Sequence, residues 1–274
     1  MEVDSAPVLH LFSLPNEVFV QILSPFTTRE LLPLATVSHR FHALVLRLLH
    51  YRLLLSASLT EYKLILECFH PTSKLTEPHI FCTYLGTPGL SDKYEGEGSL
   101  YENIDTAQRL GRLGSLYSRF RPEDFPGGDS PAVKRPVNLE GFEGFSQLCV
   151  VVNVVKALPG TTHLLSAVNV EDGVIRLFRD WLKRQANESQ SAQDHHTLWV
   201  GQSRNVGLKF RVQEVTRLDS SLPVLVHRDE ESFSSYEIFI DELLVRTTRL
   251  LLTVEQSLRE QQNYSKAVVF TRTR

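Results

Sequence analysis

The residues best equipped for chemistry in this chain are few and scattered. His195 and His196 stand side by side, and His39 and His42 lie three apart, a spacing at which two imidazoles share a helical face and can ligate a metal. Adjacent histidines point different ways on a helix or strand, and no cysteine–carboxylate cluster supports either pair. A solvated loop for 195–196 and a plain helical face for 39–42 account for them, so no metal site is assigned. Cys68, Cys82 and Cys149 are odd in number and irregularly spaced. They fit neither a disulfide framework nor a zinc site and read as reduced core thiols. Gly96-Glu97-Gly98 lacks the preceding strand and following helix that a dinucleotide fingerprint needs. Serine, histidine and aspartate are all present, but without a nucleophile elbow. No catalytic residue and no cofactor is assigned, and the chain is read as non-enzymatic.

Aromatic residues are the other candidates, because exposed tryptophan often marks recognition. Trp181 shares core-like spacing with Val174, Leu177 and Phe178 and reads as core. Trp199, near a strand start, is the one candidate substrate-binding residue. Phe233 and Tyr236 fit either role.

The elements that must position these residues follow from composition and periodicity. The chain has 274 residues, 42% hydrophobic and 22% charged, with a net charge of -3. This is an ordinary globular balance with no basic footprint for nucleic acid or an anionic membrane. No apolar run approaches a membrane span. Met1-Glu2-Val3-Asp4 lacks the positive start of a signal peptide, so the expectation is a cytoplasmic or nuclear protein, or both. The glycosylation patterns at Asn187 and Asn263 then read as chance.

Three short leucine-rich helices are predicted at the start. Pro15 opens the first, whose apolar positions are Val18, Ile22 and Leu23, and Pro25 ends it. Thr27 and Glu30 have capping-box spacing before Leu31, Leu34 and Ala35. Ser38 caps a third helix with Phe41, Ala43 to Leu46, Leu48 and Leu49 as its apolar positions. Three helices this small show more apolar surface than they can bury alone.

After about residue 58 the pattern becomes strand-like. Tyr62–Phe69, Pro78–Leu85, Leu148–Leu158, His163–Val170, Thr197–Val200, Val206–Val215, Leu222–Val226 and Tyr236–Ile240 read as strands. Residues 86–146 are expected to be loop-rich, since residues 86–144 hold ten of the fourteen glycines and five of the thirteen prolines. Gly111 and Gly114 weaken a helix between Thr106 and Phe120. Val174–Lys183 reads as a short amphipathic helix. Ile240, Leu244, Leu251, Val254 and Leu258 line one face of a C-terminal helix reaching about Gln262. The expected class is α+β: a three-helix domain at 8–55, then a mainly β, sandwich-like domain at 58–274 ending in a helix.

Leu14-Pro15-Asn16-Glu17, Ile22-Leu23, Glu30-Leu31-Leu32-Pro33-Leu34-Ala35-Thr36-Val37 and Arg40-Phe41, in that order and spacing, resemble the F-box family. The likeness spans about one sixth of the chain. Pro25, His39 and Tyr51 depart from the family pattern, Tyr51 standing where a tryptophan is common. Leu66 to Pro71, Tyr84 to Leu90 and Arg179 to Leu182 are similar to stretches in F-box proteins of filamentous fungi. The resemblance implies a substrate-recognition subunit of an SCF-type ubiquitin ligase, with no chemistry of its own. It would dock on a Skp-type linker, and through it on a cullin, by Leu14, Pro15, Ile22, Leu23, Leu31, Leu34 and Val37. Each large apolar anchor buried there is worth about 1.5–3 kcal/mol before association costs. Arg40 and Phe41 read as mainly internal. The C-terminal domain would hold an unidentified protein substrate. The alternative is a lectin-like or small-ligand β-sandwich module, which Trp199 would serve, with or without ligase assembly.

Overall fold

Proline and hydroxyl residues punctuate the N-terminal helices. Helix α1 (Asn16–Leu23) starts after Pro15 and stops two residues before Pro25. Helix α2 (Thr28–Leu34) follows Thr27, to whose N–H and hydroxyl the Glu30 carboxylate reaches back at 2.7 and 2.8 Å. Helix α3 (His39–Ala57) starts at Ser38, whose Oγ accepts the Phe41 N–H at 3.2 Å. The computed structural model describes residues 13–74, 77–90, 111–123, 133–158, 164–188, 197–215 and 233–262. Among these, no helix is long and apolar enough to cross a membrane.

Nine strands follow: β1 (Lys63–Phe69), β2 (Ile80–Gly86), β3 (Tyr117–Glu123), β4 (Val133–Leu139), β5 (Phe145–Ala157), β6 (Leu164–Phe178), β7 (Thr197–Trp199), β8 (Val206–Glu214) and β9 (Ser234–Arg246). Helix α4 (Arg179–Glu188) leaves β6, and helix α5 (Thr247–Gln262) leaves β9. The strands form one antiparallel sheet, ordered β6-β5-β1-β2-β3-β9-β8-β7, with β4 on the first half of β9. The α+β class and the C-terminal helix stand. The two stacked sheets of a sandwich are replaced by one curved sheet. Its inward residues, from Leu148, Val150 and Val152 on β5 to Leu208 and Phe210 on β8, converge with Leu182 of α4 and Leu250 of α5 in one core.

Two other expectations change. Within residues 86–146 the described residues include β3 and β4. Residues 111–114 form a helical turn, while 91–110 and 124–132 lie outside the described residues. Strand β4 alternates inward and outward, but one inward position is Arg135. Its Nε donates to the Cys68 carbonyl at 2.6 Å and pairs with Glu77 at 3.0 Å, which is how the sheet tolerates a buried cation. Pro136 fits because β4 is an edge strand. Val174–Phe178 is the end of β6, and only Arg179 onward is helical. Ile240 and Leu244 belong to β9. There a register shift opposite Lys209/Phe210 moves the inward phase from Ile238 and Ile240 to Leu243 and Val245. Such a bulge spaces apolar residues three apart and imitates a helix. The predicted strand at 222–226 lies outside the described residues.

The cysteines are unpaired with one another. Burial pushes the Cys68 thiol up to about 12 and the Cys82 thiol upward too, so both stay protonated.

Candidate protein-docking face

Eight buried side chains hold the bundle together: Phe19, Leu23, Leu31, Ala35, Leu44, Val45, Leu48 and Leu49. Leu14, Val20, Leu34 and Phe41 pack half-buried against them. Phe19 and Phe41 meet edge to face at 5.4 Å. Arg40 lies 4.7 Å over the Phe19 ring and donates to Asn16 Oδ1 at 2.9 Å and to the Leu14 carbonyl. Arg40 thereby anchors the chain entering α1, and Phe41 closes the small core.

The bundle leaves several large apolar side chains outside. Ile22 is 44% exposed, Phe26 41%, Leu32 43% and Val37 59%, and Pro15 is exposed as well. Isolated exposed apolar residues are normal, but a cluster on one small unit signals an interaction surface. Of the residues expected to face a partner, Pro15, Ile22 and Val37 are outside, and Leu14 and Leu34 are partly so. Leu23 and Leu31 are corrected: at 3% and 0% exposure they are core residues. They lie on the inward faces of α1 and α2, so they shape the surface from behind. Phe26 and Leu32 were missed. Phe26 follows Pro25 in a connection, where helical periodicity carries no signal. Leu32 sits beside Leu31, and only the helix phase decides which of the two turns inward.

A joint fixes this face to the sheet. The Glu255 carboxylate on α5 accepts the Thr28 N–H at 3.1 Å and the Thr28 hydroxyl at 2.6 Å, and pairs with Arg52 of α3 at 3.0 Å. Arg52 also donates to the carbonyls of Ser24 and Phe26 at 2.8 and 2.5 Å. Beside it Leu53 and Ala57 of α3 pack with Leu90 and with Leu251 of α5. No sequence signal pairs residues 203 positions apart, so this joint was invisible before folding. Helix α3 ends at Ala57.

Trp199 lies on the outer face of the sheet, half-buried, across Gly207, its register partner. A Cβ on Gly207 would lie 2.8 Å from ring atom Cε3, so glycine gives the indole its seat. Tyr117 tilts against it at 5.0 Å. Trp181 packs, partly buried, against the main core, although the helical spacing with Val174, Leu177 and Phe178 fails because those residues are strand. Tyr236 is core and Phe233 is exposed. His39 and His42 lie on α3, and His195 and His196 are outside the described residues. Among the described residues no three His, Cys, Asp or Glu side chains group to hold a metal.

No curated protein and no solved structure matches this chain. Residues 11–56 match the family model described as F-box-like, so the bundle that carries the exposed apolar set is an F-box-like domain.

Proposed function

We propose that this chain is the substrate-recognition adaptor of an SCF-type cullin–RING ubiquitin ligase, working in the cytoplasm or nucleus. The F-box-like domain docks on a Skp-type linker and through it on a cullin. The β domain holds a protein substrate, and the chain contributes proximity rather than chemistry of its own. The observation that carries this reading is Pro15, Ile22, Phe26, Leu32 and Val37 left outside an F-box-like bundle that is otherwise well packed. Leu14 and Leu34 border that surface, while Leu23 and Leu31 support it. The joint at Glu255 supports the reading too, because an adaptor must keep its docking face at a fixed angle to its cargo.

The test is co-expression with a Skp-type linker. Wild type co-purifies as a stable pair, and Ile22→Asp with Val37→Asp does not, although its circular dichroism and melting are unchanged. A wild-type chain that stays alone, or a double variant that still co-purifies, ends this reading. A small-ligand module is the second reading, and the position of Trp199 beside a cleft is what favours it.

A further inference from the structure

Following the sheet from β6 to β7 crosses eight strands, each antiparallel to the next. The first and last strands therefore run in opposite directions, and the curl of the sheet brings them together. They touch at Gly173, where a Cβ would lie 2.7 Å from Val200 Cγ1. The Glu171 carboxylate fastens the same level by accepting the Asn205 side-chain N–H at 3.0 Å. From Val174 toward Phe178, no strand pairing joins β6 to β7 among the described residues. There a shallow cleft of about 470 Å³ opens, lined by Gln147, Val174, Arg176, Trp199, Gly201 and Gln202.

Two of these side chains are held ready. Trp199 is seated on Gly207 and braced by Tyr117. The Tyr117 hydroxyl donates to the Arg204 carbonyl at 2.8 Å and accepts from Arg246 at 3.1 Å. Arg176 is held 5.6 Å over the Phe145 ring. It is the one charged side chain of the lining and has no carboxylate partner among the described residues. A guanidinium facing an aromatic ring keeps donors free for a carboxylate.

We propose that this seam binds an extended acidic peptide segment of a partner protein. A carboxylate meets Arg176, an apolar neighbour rests on Trp199 and Val174, and the peptide backbone runs along the open strand edges. Charge complementarity selects the acid, since Arg176 stands among the carboxamides of Gln147 and Gln202. Peptide fits better than saccharide for two reasons. Strand edges offer backbone hydrogen bonds to an extended chain, and exposed Phe145 and Phe178 continue the apolar surface beyond the cleft for further side chains. The proposal deepens the adaptor reading by naming the class of segment recruited.

The test is to pan a random twelve-residue phage-displayed library against the full-length chain, and a glycan panel against the same protein. Enriched peptides carry an acidic residue next to an apolar one. Their affinity falls at least about tenfold with Arg176→Gln, and similarly with Val174→Asp, both exposed changes that leave melting unchanged. Trp199→Ala lowers binding of acidic and neutral peptides alike. No enrichment, basic consensus sequences, peptides indifferent to Arg176→Gln, or binding of glycans alone would each overturn the proposal. Linker co-purification measured on the same samples separates the two failures. Ile22→Asp with Val37→Asp loses the linker and keeps the peptide, whereas Arg176→Gln does the reverse.

Discussion

The bundle and the sheet treat apolar residues differently. In α2, Leu31 is fully buried while Leu32 beside it is largely exposed, and Ile22 and Val37 are exposed on either side in sequence. In β5 the inward residues Leu148, Val150, Val152 and Val154 vanish from solvent, and the outward residues beside them keep only partial exposure. A unit of two short helices on one long one has too little volume to hide its leucines, whereas a curled sheet closes around one core. The bundle therefore keeps uncovered apolar surface along its length, and the sheet keeps some of its own beside the seam, on Val174, Phe178 and Phe145. In the proposed adaptor, docking would fall where folding leaves apolar surface uncovered.

The comparison breaks most visibly in the core. Phe120→Ala should cost the sheet about 3–5 kcal/mol in denaturant unfolding, because it opens a cavity the strands cannot refill. Removing two docking anchors, Ile22 and Val37, should weaken linker binding by about 3–6 kcal/mol while changing folding stability by less than about 0.5 kcal/mol per site. If those variants unfolded the chain instead, the surface would be structural. At the joint, Glu255→Ala leaves Thr28 without its acceptor, while Arg52 keeps the Ser24 and Phe26 carbonyls. It should cost about 1–3 kcal/mol and split a single melting transition into separate bundle and sheet steps. One sharp transition in that variant would show that Leu53, Ala57 and Leu251 suffice to couple them.

Smaller effects sharpen the same contrast. His50 of α3 is buried, with Nε2 at 3.4 Å from the Leu90 carbonyl, and burial holds its pKa below the ordinary value of 6.5. The unfolded chain then takes up the proton first as pH falls. His50's contribution is complete above pH 6.5 and is lost progressively below it, down to the folded value. Chemical denaturation of His50→Gln should lack this part of the acid slope, and an unchanged slope would refute the assignment. Smallest is Tyr236→Phe. The Tyr236 hydroxyl is buried with no hydrogen-bond partner among the described residues. Removing it should be neutral or stabilise by about 0.5–1 kcal/mol, and a clear loss of stability would mean that a partner exists.

Much of this was legible in the sequence. Pro15, Pro25, Thr27 and Ser38 mark the helices directly, and the valines of β5 mark the best-buried strand. Legibility failed where a residue's role depends on something distant. Arg135 disguised β4, because an inward arginine makes sense only once the Cys68 carbonyl and Glu77 are beside it. The β9 bulge turned a period of two into a false period of three. Leu31 and Leu32 are indistinguishable until the helix phase is fixed by its neighbours. Trp199 was singled out, but its companions Arg176 and Gln147 come from strands that only the curl of the sheet brings near.

Helix α3 is a member of both halves of the molecule. Its nineteen residues make a rod about 28 Å long. One end is sunk among the leucines of the bundle and the other is wedged against α5. Whatever grips the bundle thus holds a handle that the Glu255 contacts and the packing of Leu53 and Ala57 against Leu251 fasten to the sheet. Loosening the Glu255 joint would turn that handle into a hinge, and the sheet would then swing over a cone of directions rather than hold one.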